Sequence, residues 1–445
     1  MVVLLVREVG HPLDEGDRVA KRRELEGVLE GALDVLPLRG NTHNGEYGRS
    51  PSLTRMHTTR YLIVGGGMTG DAAVKGVREH DADGAITLVG AEPHLPYKRP
   101  PLTKKLWFGG EEASVWSGTD QVPGVDLRLG RRIVVLDLAA NRASDDQGEE
   151  YRYEQILLAT GGRPRRLPDV EADVVYFRTL DDYRTLRALA DRGASFVVIG
   201  GGFIGSEIAA ALTHNGARTT MIFPEPAINW RLLPAALASF VTDYYRDKGV
   251  EVLTGETVAS VRGDDGRVQV ETGSGRVAAA DAVVAGLGIE PNTELAAQAG
   301  LPLDNGVIVD EYGRVEGFDN VFAAGDLVSF PVLPLGGRYR VEHEDHAKSH
   351  GRAVGANMAG AEKPYDHLPF FYSDLFDLGY EAVGEVDSRL ATVETWREPN
   401  RKGTVAYVDE AGRPRGFLLW DVWGKVDDAR ELIRKGEPVR EGALV

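Results

Sequence analysis

The chain has 445 residues, 42% of them hydrophobic and 27% charged, with a net charge of −17 and no cysteine. That length predicts two or three domains, and the acidic balance excludes nucleic acid or an anionic membrane surface as a natural partner. Without cysteine there are no disulfides, no thiolate metal sites and no thiol-based redox chemistry.

No apolar run approaches the about 18–20 residues of a membrane span. The opening MVVLLV is too short for a signal-peptide core. A cytoplasmic location is therefore expected, as a monomer or homodimer. Residues 1–55 carry no nucleotide motif, and NTHNGEYGRSPS reads as turn-forming linker. This N-terminal extension reads either as a helical addition over 21–36 or, the reading preferred, as a disordered segment or upstream start-site artefact ahead of Met56.

From residue 60 the pattern is strand, glycine turn, helix. The run 61–64 leads into GGGMTG at 65–70, and 71–78 has helical spacing. The same unit recurs as the run 196–199, GGGFIG at 200–205 and the helical stretch 206–212. In this context the first glycine makes the tight turn, the second admits a pyrophosphate, and the third packs helix on strand, with the phosphates at the helix N-terminus. Two such units in one chain predict two dinucleotides bound side by side. Further strands are expected at 85–89, 126–129, 132–138, 155–159, 218–223, 306–309 and 320–323, and a hairpin at 266–284. Helices are expected at 347–358 and 427–435. The fold class is thus α/β, with two doubly wound dinucleotide-binding domains and a small α+β C-terminal domain. The expected boundaries are 56–178 and 292–369 for the first domain, 179–291 for a second inserted into it, and 370–445 for the last.

An acid about twenty residues past such a turn, at the tip of the second strand, takes the adenosine ribose hydroxyls. After GGGFIG this is Glu225, which favours NADH because a carboxylate repels the 2′-phosphate of NADPH; the alternative is a solvated loop carboxylate. After GGGMTG the usual position holds Ala91, and Glu92 follows it. His343, His346 and His350 recur on one helical face, but no metal site is expected from them.

LPYKRPPLTKKLW at 95–107, ATGGRPR at 159–165, GGGFIGSE at 200–207, FAAGD at 322–326 and VEHEDHA at 341–347 occur in that order. Together they resemble the FAD- and NADH-binding flavoproteins that include bacterial ferredoxin reductases and apoptosis-inducing factor. KPYDHLPFFYSDLFDLGYEAVGEVD and GFLLWDVWGKVDDARELI near the C-terminus resemble apoptosis-inducing factor more closely. The resemblance implies that Gly65, Gly67 and Gly70 cradle the FAD pyrophosphate, with Arg99 supplying a cation. Ile133 would contact the adenine, Arg184 would lie near the FAD, and Asp326 would bind the ribityl chain. Glu92, Thr160, Gly161, Glu344 and Glu381 are further expected cofactor-binding residues. Lys104 matches a lysine beside the flavin and Glu207 its glutamate partner, the two expected catalytic residues; a surface lysine and a helix first-turn acid are the alternatives. Gly201, Gly202, Ile204 and Gly205 would face NADH. Phe203 would gate the meeting of nicotinamide and flavin, unless it is a core contact. Gly288 and Glu342 match further NADH contacts, and His343 the flavin pyrimidine edge. Tyr372 stands where apoptosis-inducing factor has tryptophan, and Asp421 replaces an asparagine. The implied function is hydride transfer from NADH to flavin and electron delivery to a separate acceptor, first a 2Fe–2S ferredoxin. The alternatives are an NADH-sensing interaction protein or an NADH oxidase or quinone reductase. Related disulfide reductases need cysteines that this chain lacks.

Overall fold

The computed structural model describes residues 55–444, so the expected N-terminal extension, apart from Arg55, lies outside the described residues. Its helices are α1 (Met68–His80), α2 (Leu180–Asp191), α3 (Phe203–His214), α4 (Ala235–Asp247), the short α5 (Glu294–Gln298), α6 (Glu344–Met358) and α7 (Val426–Lys435).

A seven-stranded sheet carries the first glycine turn. Its centre, Met56–Val64, pairs in parallel with Ile86–Gly90 on one side and Glu150–Leu158 on the other. Every residue of Ile86–Gly90 is buried, as expected for a parallel strand covered on both faces. Glu150–Leu158 shares its far edge between two partners: Arg142–Asp145 pairs with its first half, antiparallel, and Val321–Ala323 with its last residues, in parallel. The chain thus leaves this sheet after Leu158 and returns to it at Val321.

Between those points lies a five-stranded parallel sheet ordered Glu251–Thr254, Thr219–Phe223, Phe196–Ile199, Ala282–Ala285, Val174–Tyr176. Val174–Tyr176, ahead of the boundary expected at 178/179, belongs to this sheet's edge. The hairpin expected at 266–284 is part of a three-stranded antiparallel meander that also includes Val258–Asp264. The C-terminal region forms a five-stranded antiparallel sheet backed by α7. In its strand Phe370–Leu375, Phe371, Ser373 and Leu375 are buried while Tyr372 and Asp374 face out, the period-two alternation of a half-covered sheet.

Helices α1 and α6, far apart in sequence, make the most extensive helix–helix contact among the described residues, and glycine permits it. A Cβ on Gly76 would lie 2.1 Å from the Arg352 carbonyl oxygen, and one on Gly355 would lie 2.2 Å from that of Ala73. No rotamer change relieves a clash with backbone. Alanine normally gains about 1 kcal/mol over glycine in a helix, yet Gly355→Ala is expected to destabilise the protein by about 1–3 kcal/mol through overpacking. Denaturant unfolding checks this; an unchanged or raised midpoint would refute the close-contact argument.

Candidate functional site

The two glycine turns are built alike. Gly65 donates its N–H to Val89 (2.8 Å) and Gly200 donates to Ile222 (2.9 Å), so each turn hangs from the neighbouring strand. A Cβ on Gly70 would sit 2.0 Å from the Gly65 oxygen, and one on Gly205 would sit 2.0 Å from the Gly200 oxygen. The third glycine of each unit is therefore what lets helix meet turn. A Cβ on Gly67, by contrast, would meet nothing within 4 Å, although Gly67 lines a cavity. The space above it is free for a phosphate-bearing ligand.

Each turn opens onto a large cavity, about 590 Å³ at the first and about 550 Å³ at the second, and both are lined by Met68, Arg99, Arg178 and Asp326. Gly65, Gly67, Glu92, Ile133, Thr160 and Gly161 line the first. Gly201, Gly202, Phe203, Ile204, Glu207, Glu225, Gly288, Glu342, His343, Glu344, Lys104 and Tyr372 line the second. Two continuous clefts, each headed by a dinucleotide turn, fit FAD and a nicotinamide dinucleotide meeting end to end.

Glu207, 4% exposed on the first turns of α3, sits where the two halves of the molecule meet the C-terminal sheet. Its Oε1 accepts from Lys104 Nζ (2.6 Å) and from Ser373 Oγ (2.6 Å), and its Oε2 accepts from Thr103 Oγ1 (2.5 Å). Lys104 also lies over the Tyr372 ring, 5.0 Å from its centroid. The expected Lys104–Glu207 pair is thus formed. Ser373 and Thr103 gave no signal in the sequence; only the strand alternation, once known, turns Ser373 inward.

Phe203 packs edge-on against Phe371 (5.2 Å between centroids) and His343 (6.2 Å), and His343 stacks on Phe371 (4.2 Å). Burial pushes His343 down to about 4, so the ring is neutral at physiological pH. His346 and His350 stack with Phe330 in the interior rather than facing the cavities. Burial lowers both, His350 to about 3. Among the described residues no cluster of histidine and carboxylate groups is arranged to hold a metal.

Several expected residues are placed differently. Arg184, expected near FAD, lies outside both cavities. Its guanidinium is tied to Glu112 (2.6 Å) and Asp181 (3.1 Å) on an exposed face of α2, because the helix turns that face to solvent. Arg178, just ahead of the helix, takes the cavity position instead, with Nη2 2.9 Å from Asp326 Oδ2. A capping box fixes it: Asp182 Oδ2 accepts from the N–H groups of Arg178 (3.0 Å) and Thr179 (2.7 Å). Glu92 lines the cavity, but its oxygens are engaged by Arg99 Nη2 (2.6 Å) and the Tyr97 hydroxyl, which makes it a brace for Arg99. Glu381 lies on the outer face opposite Tyr372, accepting from the Gly424 N–H, and lines neither cavity. Gly70 and Gly205 also lie back from the cavities, as helix-packing positions. Asp421 pairs with Lys402 (3.3 Å) away from both.

A model of the pyridine nucleotide-disulphide oxidoreductases matches residues 59–351, and the C-terminal domain of mitochondrion-associated apoptosis-inducing factor matches residues 354–415. The chain belongs to the pyridine nucleotide-disulphide oxidoreductase family and is an FAD-dependent NAD(P)H oxidoreductase. Among its relatives are apoptosis-inducing factor 1 of Dictyostelium discoideum, 32% identical over 86% of this chain and 79% of that protein. Another is the ferredoxin–NAD(+) reductase component of the anthranilate 1,2-dioxygenase system of Burkholderia cepacia, 34% identical over 86% of this chain and 95% of that one. The crystal structure of a covalent putidaredoxin reductase–putidaredoxin complex contains a chain 26% identical to this one, with a TM-score of 0.80 over 86% of this chain and 94% of that chain.

Glu342 is the most perturbed carboxyl lining the second cavity. Burial raises it from 4.5 to about 7, although the Arg340 guanidinium bonded to it opposes the shift. A raised native pKa stabilises the fold fully below the unfolded value, and that contribution is lost as pH rises through about 7. Glu342→Gln in the nucleotide-free protein is therefore expected to show a smaller fall in melting temperature from about pH 5 to about pH 8 than the parent. Parallel pH profiles of the two would refute the assignment.

Proposed function

We propose that the protein oxidises NADH and delivers electrons one at a time to a 2Fe–2S ferredoxin. The observation that carries this reading is the overlap of the two dinucleotide clefts beside the Lys104–Glu207 pair, since hydride transfer needs the two bound rings face to face. Bound flavin supplies a two-electron acceptor for hydride and a one-electron donor to the acceptor.

The remaining roles fall to the chain. Gly65 and Gly67 let backbone approach the FAD phosphates, with Arg99 and Arg178 as cations and Ile133 toward the adenine. Thr160, Gly161 and Asp326 line the way to the flavin end. In the second cleft Gly201, Gly202 and Ile204 face the NADH pyrophosphate, Glu225 the ribose, and Gly288, Glu342 and Glu344 the nicotinamide side. Phe203 occupies the junction and moves when the nicotinamide enters. Lys104, held by Glu207, keeps a positive charge at the flavin edge, where charge arrives on reduction. His343, neutral through burial, offers a hydrogen bond without adding charge.

Ferredoxin is favoured because the Burkholderia relative is named for that acceptor and the putidaredoxin reductase structure holds one. A second reading, a slowly turning-over NADH-sensing interaction protein, is supported by the apoptosis-inducing-factor match over 354–415. Steady-state turnover of the FAD-loaded protein with NADH and a 2Fe–2S ferredoxin, cytochrome c or a quinone separates them. Fastest turnover is expected with ferredoxin; a long-lived reduced complex with slow turnover on all acceptors would favour the second reading.

Glu207→Ala is expected to slow anaerobic reduction of the flavin by NADH by about 10²-fold while FAD occupancy stays near that of the parent, the low end for an acid–base group. The carboxylate is removed from the flavin's side of the lysine, not from the pyrophosphate turn. Stopped-flow measures the half-reaction without any acceptor, and an unchanged rate would leave Glu207 a structural tie only.

A further inference from the structure

Glu225 does not stand alone at the end of the second cavity. Arg231, also lining that cavity, places Nη2 3.0 Å from Glu225 Oε1. Both side chains remain accessible, Glu225 at 25% and Arg231 at 47% exposure, so a ligand can reach either. A lone carboxylate rejects a 2′-phosphate by repulsion. A carboxylate already neutralised by a guanidinium rejects it less, and the guanidinium is itself suited to bidentate phosphate binding.

The segment that carries Arg231 is fastened at both ends and from outside. Asn229, at φ 52°, turns the chain and donates its N–H to Gly201 of the glycine turn (2.8 Å). Its own carbonyl accepts from Leu232 and Leu233, each at 2.9 Å. The C-terminal region holds the other side: Ser388 donates to the Arg231 carbonyl (3.0 Å) and the Tyr407 hydroxyl to that of Leu232 (2.7 Å). All these bonds are made by backbone atoms of the segment. They fix where the Arg231 side chain starts and do not depend on what that side chain is. The backbone start of the side chain is thus fixed, while the guanidinium, 47% exposed, still gives up rotamer freedom on meeting a phosphate.

We infer that Arg231 is a specificity-determining residue, a standing partner for the adenosine 2′-phosphate that narrows the protein's preference for NADH over NADPH. The inference rests on the proposed placement of the ribose at Glu225. When NADH binds, Glu225 turns to the ribose hydroxyls and Arg231 is released to solvent. When NADPH binds, Arg231 leaves Glu225 for the phosphate and offsets the repulsion. The preference for NADH is then modest, and it is set by two residues rather than one.

The test uses the FAD-loaded protein and two adenosine-end probes, 5′-AMP and 2′,5′-ADP, with binding read by calorimetry. Arg231→Ala is expected to weaken 2′,5′-ADP about tenfold, the scale of a charge-assisted hydrogen bond, and to leave 5′-AMP within about twofold. The kcat/KM ratio of NADH to NADPH should widen about tenfold with it. Arg231→Lys, which keeps the charge without the fork, should recover part of the 2′,5′-ADP affinity. Glu225→Gln should narrow or reverse the ratio, and adding Arg231→Ala to it should abolish that gain. Equal weakening of both probes in Arg231→Ala would place the guanidinium at the pyrophosphate and overturn the inference, as would no effect on either. A ratio unmoved by Glu225→Gln would instead overturn the placement of the ribose.

Discussion

A buried carboxylate with three donors from two other parts of the chain is the tie on which the site depends. Glu207 comes from the helix of the second glycine unit, Thr103 and Lys104 from the first sheet's excursion, and Ser373 from the C-terminal sheet. An ionised carboxyl this deep is tolerated only when its oxygens are satisfied, and a half-satisfied one costs several kcal/mol. The three regions therefore hold a common register at this point, or the charge is left unpaired. That constraint holds the three regions together at the wall of the second cleft.

The aromatic wall beside the tie follows from the same arrangement. Phe203 belongs to the second glycine unit, Phe371 to the C-terminal sheet and His343 to the segment entering α6, yet they touch in one cluster. Such a wall gives one side of the second cleft an apolar surface. It also explains why a neutral imidazole is found at that position: its protonated form would be desolvated without a bonded carboxylate partner.

Much of this was legible before the structure, and the reason is local chemistry. The glycine turns are backbone devices, so Gly65, Gly67, Gly70, Gly201, Gly202 and Gly205 announce their geometry in their identity. Lys104 and Glu207 were legible only through a resemblance, since nothing local relates residues so far apart in the chain. Ser373 and Thr103 escaped because hydroxyl residues are common and their role arises from tertiary contact. Arg184 and Arg178 show the finer limit: both are arginines near the start of one helix, and only the capping box at Thr179 decides which faces the cavity. Arg231 was missed for the opposite reason. It lies on an irregular segment with no periodicity, and its meaning comes from the one carboxylate it faces.

The divided edge of Glu150–Leu158 has a consequence for how the protein is made. Its first half can be paired as soon as the neighbouring Arg142–Asp145 exists, but its second half waits for Val321–Ala323, and α1 waits longer still for α6. On a ribosome working from the N-terminus, the intervening five-stranded sheet has all its strands in hand before the first sheet does. Of these two units, the one begun first is the one finished last. Until then the first glycine turn lies in an incomplete sheet with an open edge and an uncovered helix, surfaces of the kind chaperones hold. The second glycine turn thus has its sheet complete while the first still waits for its last strand.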